Sequence, residues 1–190
     1  DEALLPALQY AKLYKAAVTA MQTLGHPIPW GAGVGSEAFD LMCHCVIGSR
    51  TLGGALQLAQ RYDKLLYPMI GYRVELLEEG DGDTVRLAYR VRVPDTESVM
   101  APSHWDRANY SDTVARASGL LVWSAFCGWL TGQPMEVEEV HIAAPYVDQS
   151  YYERLANVFH CPIRFDASDN TLTFPRAELD RRVVQTTECL

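Results

Sequence analysis

YRVELLEEGDGDTVRLAYRVRV, residues 72–93, is where the hydrophobic period of the chain changes from that of a helix to that of a strand. Tyr72, Val74 and Leu76 alternate with Arg73, Glu75 and Leu77. Val85, Leu87, Tyr89, Val91 and Val93 alternate with Arg86, Ala88, Arg90 and Arg92. A period of two places one set on each face of a strand. EGDGD, residues 79–83, is a strong turn signal between the two runs. The stretch therefore reads as a long antiparallel hairpin with one apolar and one charged face. Because that charged face mixes Arg with Glu75, cross-strand ion pairs are a simpler expectation for it than an anion site.

The sequence N-terminal to this hairpin is helical. Leu4, Leu5, Leu8, Tyr10, Ala11, Leu13, Tyr14, Ala17, Val18 and Met21 recur at helical spacing over residues 2–24, until Gly25, Pro27 and Pro29 stop the pattern. Ser36 and Glu37 open a second helix that runs to about Ile47 and ends at Gly48. Ser49 or Thr51 caps a third, with Leu52, Leu56, Ala59, Tyr62, Leu65 and Leu66 inward and Pro68 and Gly71 closing it.

C-terminal to the hairpin, residues 94–112 are polar and Pro-bounded and read as a loop into a helix over 107–131. GLLVWSAFCGWL, residues 119–130, is apolar nearly all round, which predicts a central buried helix. A strand over 136–142 and a helix over 148–158 follow. FHCPIRFDASDNTLTFP, residues 159–175, then reads as strands 161–166 and 170–175 joined by a polar turn. No internal repeat or low-complexity tract interrupts the chain. These elements predict a single α+β domain over 1–190, mostly helical, with a small, mainly antiparallel sheet and a long buried central helix.

A chain of 190 residues can bury roughly 70% of its unfolded surface. Its net charge of −8 and pI near 5.1 argue against gripping nucleic acid or an anionic membrane, either of which needs clustered Lys and Arg. No signal-peptide pattern is visible, and the apolar run Gly119–Leu130 is too short to span a bilayer. Five cysteines, an odd number, favour free thiols in a reducing, cytoplasmic setting. The chain begins at Asp1, not Met, inside a helical pattern, so a piece of a longer protein is expected.

Two short motifs suggest chemistry that their context does not support. GAGVGS, residues 31–36, lacks the spacing and the preceding strand of a phosphate-binding loop. In CHC, residues 43–45, helical geometry sends Cys43 and Cys45 to different sides, and no second pair lies at zinc-like spacing. Cys161, ahead of Pro162, is expected to pack at a helix-to-strand corner. The aromatics are more informative. Trp123, Phe126 and Trp129 share the central helix, Tyr62 and Tyr67 lie on or just beyond the third, and His104, Trp105 and Tyr110 sit near the entry loop. Such a set can line an apolar pocket with a few polar handles.

Three stretches together carry a family resemblance: GSRTLGGALQLAQRYDKLL (48–66), the hairpin with its Gly-Asp-Gly turn, and YYERLANVFHCPIRFDASDNTLTFPRAELDRRV (151–183). They resemble the N-terminal effector domain of AraC/XylS-type transcription regulators, the arabinose-binding-like N-terminal domain. The resemblance implies a domain that senses a small molecule, self-associates, or both. DNA is then bound only through a separate C-terminal helix-turn-helix domain, absent from this chain. It does not imply arabinose as the effector. Thr51, Leu52, Ala55, Leu56, Phe159, Cys161, Pro162, Phe165, Leu172 and Leu179 match as scaffold and bring no catalytic residue. Arg50 and Arg182 depart from the pattern, each standing where Pro is common, and residues 94–112 are longer than usual.

The expected function is ligand-dependent control of an attached DNA-binding domain, with no enzymatic activity, cofactor or metal. The expected effector is apolar or aromatic and binds between the central helix, the third helix and the hairpin. Trp123, Phe126, Tyr67, Tyr89 and Tyr62 form the walls, and His104 and Arg107 supply polar contacts. One alternative is a homodimerisation module using Leu4, Leu8, Ala11 and Tyr14. The other is an enzyme with a Cys nucleophile, for which no catalytic constellation is visible.

Overall fold

The structure, a computed structural model, describes residues 34–77, 82–92 and 107–189 and positions 16, 20 and 23; side chains of 34–37, 107–111 and 189 are excluded. The expected first helix with Leu4, Leu8, Ala11 and Tyr14, the first half of the GAGVGS stretch, the centre of the EGDGD turn, and His104 and Trp105 lie outside these residues, while Val34 to Ser36, expected as loop, already belong to a helix.

Among the described residues, four helices pack around one mixed sheet. Helix α1 (Val34–Val46) leads through a short turn into α2 (Leu52–Ile70). Thr51 caps α2 in extended geometry, its Oγ1 accepting from Gly54 N–H, an arrangement that contributes about 1 kcal/mol. Gly71 ends α2 in the left-handed region at φ 75°, its N–H donating to Tyr67 O. Pro68, expected to close the helix, lies inside its last turn.

Burial along α2 falls on Leu52, Leu56, Ala59, Asp63 and Ile70. Leu65, expected on this stripe, is 80% exposed. The 3.6-residue period puts Asp63 inside in its stead.

Strands β1 (Tyr72–Leu77) and β2 (Thr84–Val91) form the expected antiparallel hairpin, with Val74 opposite Tyr89 and Leu76 opposite Leu87. On its charged face Arg90 stands opposite Arg73, and Arg90 Nε reaches diagonally to Glu75 Oε2 at 3.0 Å and Nη1 to Asp169 Oδ1 at 3.2 Å. The expected ion pairing therefore relieves a like-charge juxtaposition.

Helix α3 (Arg107–Thr131) is followed by β3 (Glu139–His141), α4 (Gln149–Phe159), β4 (Ile163–Arg164), β5 (Thr171–Pro175) and a 3-10 turn over Arg176–Asp180. The sheet order is β1-β2-β5-β3-β4. This corrects the expected hairpin over residues 159–175. β3 lies between the two runs, antiparallel to β5 through Val140 and Leu172 and parallel to β4 through Val140 and Ile163. Residues 165–170 cross over β3: Asp166 N donates to Ala144 O and Ala167 N to Ile142 O. The expected strand over 136–142 is correspondingly short, three residues paired on both sides.

Asn170 links the layers. Its Nδ2 donates to the backbone carbonyls of Tyr89 and Arg116, and its backbone carbonyl accepts from Tyr89 N–H.

Candidate functional site

The sequence of α3 predicts burial on every side, but the helix is buried on one face only. Ala117, Leu120, Trp123, Cys127 and Leu130 are inside, while Val122 is 50% exposed and Ala125 is exposed. The uncharged outer face of α3 is thus available to form a site.

An aromatic chain crosses the helix from its buried to its outer side. Phe39 of α1 meets Trp123 and Phe126 edge-on at 6.2 and 5.2 Å. Trp123 meets Phe126 at 5.5 Å, and Phe126 stacks on Trp129 at 5.7 Å. Trp129 is half-buried and forms a wall of a groove of about 490 Å³. Leu121, Met135, Val158 and Phe159 complete the apolar lining, and Ser124, His160 and Gln185 bring polar groups.

Local sequence explains the groove. Gly128 lets the chain fold back directly over α3: a Cβ there would lie 3.1 Å from Gln133 O and 3.4 Å from Pro134 Cα. Gly132 makes the reversal at φ 69°. Thr131 Oγ1 donates to Cys127 O at 3.0 Å, and Gln133 N donates to Gly128 O. The segment after the 3-10 turn closes the end of the groove. There Val184 N donates to Leu130 O and Gln185 Nε2 to Trp129 O.

The expected site residues differ in their surroundings. Trp123 (1% exposed), Phe126 and Tyr89 are buried. Tyr89 is pressed against α3 at Gly119, where a Cβ would come within 1.9 Å of its Cε1. Tyr62 and Tyr67 are half-buried. Arg73 and Arg92 lie over the Tyr67 ring at 5.2 and 5.7 Å. His104 is outside the described residues, as is the Arg107 side chain, although Arg107 begins α3. Trp129, although visible in the sequence, was not among the expected site residues. The signal that could have found the groove is the absence of any charge from Ala117 to Thr131, combined with the Gly-Gln-Pro reversal that follows.

A second notable group lies under the hairpin. Asp63 is 1% exposed, and burial pushes its carboxyl up to about 7 against the pull of Val74 N–H. Tyr72 and Tyr89 are raised too, by burial first and then by the Asp63 charge. Tyr72 and Tyr89 stack obliquely at 6.2 Å.

Three thiols, those of Cys43, Cys127 and Cys161, are shifted away from reactivity. Burial, then the Asp40 charge, pushes Cys43 up to about 11; burial, then Glu178, pushes Cys127 up to about 12. Cys161 is raised by burial and then Glu139, and packs at the corner after α4 as expected. A nucleophilic cysteine needs the opposite shift. In the Cys-His-Cys run, Cys43 is buried while His44 and Cys45 are exposed. Among the described residues no group of three His, Cys, Asp or Glu side chains is placed to hold a metal ion, and no helix is long and apolar enough to cross a membrane.

The family model of the arabinose-binding domain of AraC transcription regulators, N-terminal, matches residues 1–183. The chain belongs to this family. Its members are regulatory domains of transcription regulators. A similar solved structure is that of the transcriptional regulator CdpR from Pseudomonas aeruginosa, with 18% sequence identity and a TM-score of 0.49 over 95% of this chain and 53% of that one. The chain thus spans about half the length of that regulator. No curated protein matches the chain.

Proposed function

We propose that this chain is the ligand-sensing domain of a transcription regulator and that it binds a small apolar or aromatic effector in the groove beside α3. The supporting observation is the continuous aromatic path from the groove wall at Trp129 through Phe126 to buried Trp123. A cleft of a few hundred Å³ with apolar walls and a few polar groups suits a small molecule. Occupancy would reach α1 through Phe39 and the C-terminal segment through Gln185. An attached DNA-binding domain, in a cytoplasmic setting, would read out that change. The effector must favour one arrangement of these elements over another, since equal affinity for both shifts nothing.

Native mass spectrometry of the purified chain, followed by denaturing extraction, tests this. A retained compound held by wild type and lost from Trp129→Ala supports the groove. A compound retained equally by both places the site elsewhere.

A second placement keeps the effector among Trp123, Phe126, Tyr62, Tyr67 and Tyr89, with His104 and Arg107 as polar contacts. The observation favouring it is the buried, upshifted Asp63 beside these tyrosines, because perturbed ionisable groups concentrate at functional sites. Loss of the retained compound in Tyr62→Ala, but not in Trp129→Ala, would select this placement. Homodimerisation without a ligand is the remaining alternative, and the same spectra report it as a dimer mass with nothing bound.

A further inference from the structure

Arg50 and Arg182 come from distant parts of the chain, and the structure brings them to one cleft. Three backbone contacts hold their segments together: Thr51 bridges Arg182 in antiparallel fashion, Leu52 N donates to Arg181 O at 2.8 Å, and Val183 N donates to Arg50 O at 3.2 Å. The cleft is open to solvent, with a volume of about 860 Å³, and is lined by Ser49, Arg50, Thr51, Arg182 and Val183.

The two guanidinium groups differ from four other arginines of the chain. Arg90, Arg116, Arg164 and Arg181 all hold carboxylates. Arg50 and Arg182 are exposed, and among the described residues neither has an ion-pair partner. Arg181 shows the contrast most directly, with Nη2 on Glu178 and Nη1 on Pro134 O. Two like charges lining one cleft in a chain of net charge −8 repel each other until an anion sits between them.

We infer that this cleft binds the oxyanion group, carboxylate or phosphate, of a small anionic molecule. The planar guanidinium fork matches either group in bidentate fashion. The hydroxyls of Ser49 and Thr51 add donors; Thr51 Oγ1 accepts from Gly54 N–H and keeps its own proton to give. The start of α2 is not what makes the site, because Leu52 N–H and Gly54 N–H are already taken by Arg181 O and Thr51 Oγ1. The site is separate from the groove beside α3, so the two readings stand or fall independently.

Calorimetric titration of the 190-residue chain with inorganic phosphate and with citrate, at constant ionic strength set by NaCl, tests the inference. Saturable binding of at least one probe is expected, weakened about tenfold or more in Arg50→Gln/Arg182→Gln and partly in each single variant. Preference for phosphate assigns a phosphoryl ligand and preference for citrate a carboxylate one. Both side chains are exposed, so the variants should keep the wild-type circular dichroism and melting temperature in NaCl. Absence of saturable binding by either probe, or equal binding by wild type and the double variant, overturns the inference.

Discussion

Asp63 Oδ2, on helix α2, accepts a hydrogen bond from the backbone N–H of Val74, on the outermost strand of the sheet, at 3.1 Å. One helical turn earlier, Gln60 Oε1 accepts from Leu76 N–H at 2.7 Å. The two side chains thus satisfy the outward donors of β1, and an edge that would otherwise be open to pairing with another chain is covered by a helix. The arrangement places a carboxyl in the core beside Tyr72 and Tyr89.

That carboxyl makes stability depend on pH. Its folded-state pKa of about 7 lies above the ordinary value of 3.8, so the folded chain holds the proton more tightly than the unfolded one. The contribution is fully present below pH 4 and is lost as pH rises through 7, by up to about 4 kcal/mol. Asp63→Asn keeps an acceptor for Val74 N–H and removes the titration. The melting temperature of wild type minus that of the variant should fall between pH 5 and 8. Glu178 is shifted in the same direction by burial and contributes equally to both proteins. A flat difference across that range would refute the buried-carboxyl assignment.

The contact between Gly119 and Tyr89 should be intolerant of a single methyl group. Gly119→Ala gains about 1 kcal/mol in helix propensity. Against this, its Cβ would sit 1.9 Å from Tyr89 Cε1, and overpacking of that kind costs about 1–3 kcal/mol or more. Net destabilisation in urea unfolding is expected, with partial recovery in Gly119→Ala/Tyr89→Leu. A neutral or stabilised Gly119→Ala would mean that α3 and the hairpin are not in direct contact there.

Trp123 and Trp129 belong to one aromatic chain but should respond differently. Trp123→Ala removes a fully buried ring and should cost about 3–5 kcal/mol. Trp129 is half-buried and stacks only on its inner side, so Trp129→Ala should cost markedly less. Equal losses of stability in chemical denaturation would place Trp129 in the core and remove the groove wall.

Cysteine labelling should follow burial. In the native chain at neutral pH, iodoacetamide should modify exposed Cys45 well before Cys43 and Cys127, whose thiols are held protonated and covered. Rapid selective modification of Cys43 or Cys127, read by peptide mass mapping, would instead indicate an activated thiol.

Much of the fold was legible in the sequence because periodicity is a local property. The paired strands Tyr72–Leu77 and Thr84–Val91 and the extent of α3 follow from spacing and turn chemistry, and the cap of α2 is one of the two residues, Ser49 and Thr51, that the sequence offers. The placement of β3 between β4 and β5 was not, since a three-residue strand carries almost no pattern and its partners are chosen by distant backbone groups. The buried Asp63 was readable in principle, as it stands where the stripe Leu52, Leu56, Ala59 requires an apolar residue. The site was less legible. Aromatic content pointed to α3, but identical residues serve as core at Trp123 and as groove wall at Trp129. Which of these applies depends on the chain reversal at Gly132 and on the segment carrying Gln185. Likewise, the clustering of Arg50 and Arg182 exists only in three dimensions.

Fluorine NMR of the chain labelled with 5-fluorotryptophan tests the central claim most directly, with each resonance assigned by substitution. Titration with a panel of small apolar and aromatic compounds should shift the Trp129 resonance saturably, with a smaller change at Trp123 transmitted through Phe126. Binding that moves other tryptophans and leaves Trp129 in place, or no saturable shift from any compound, would contradict the account.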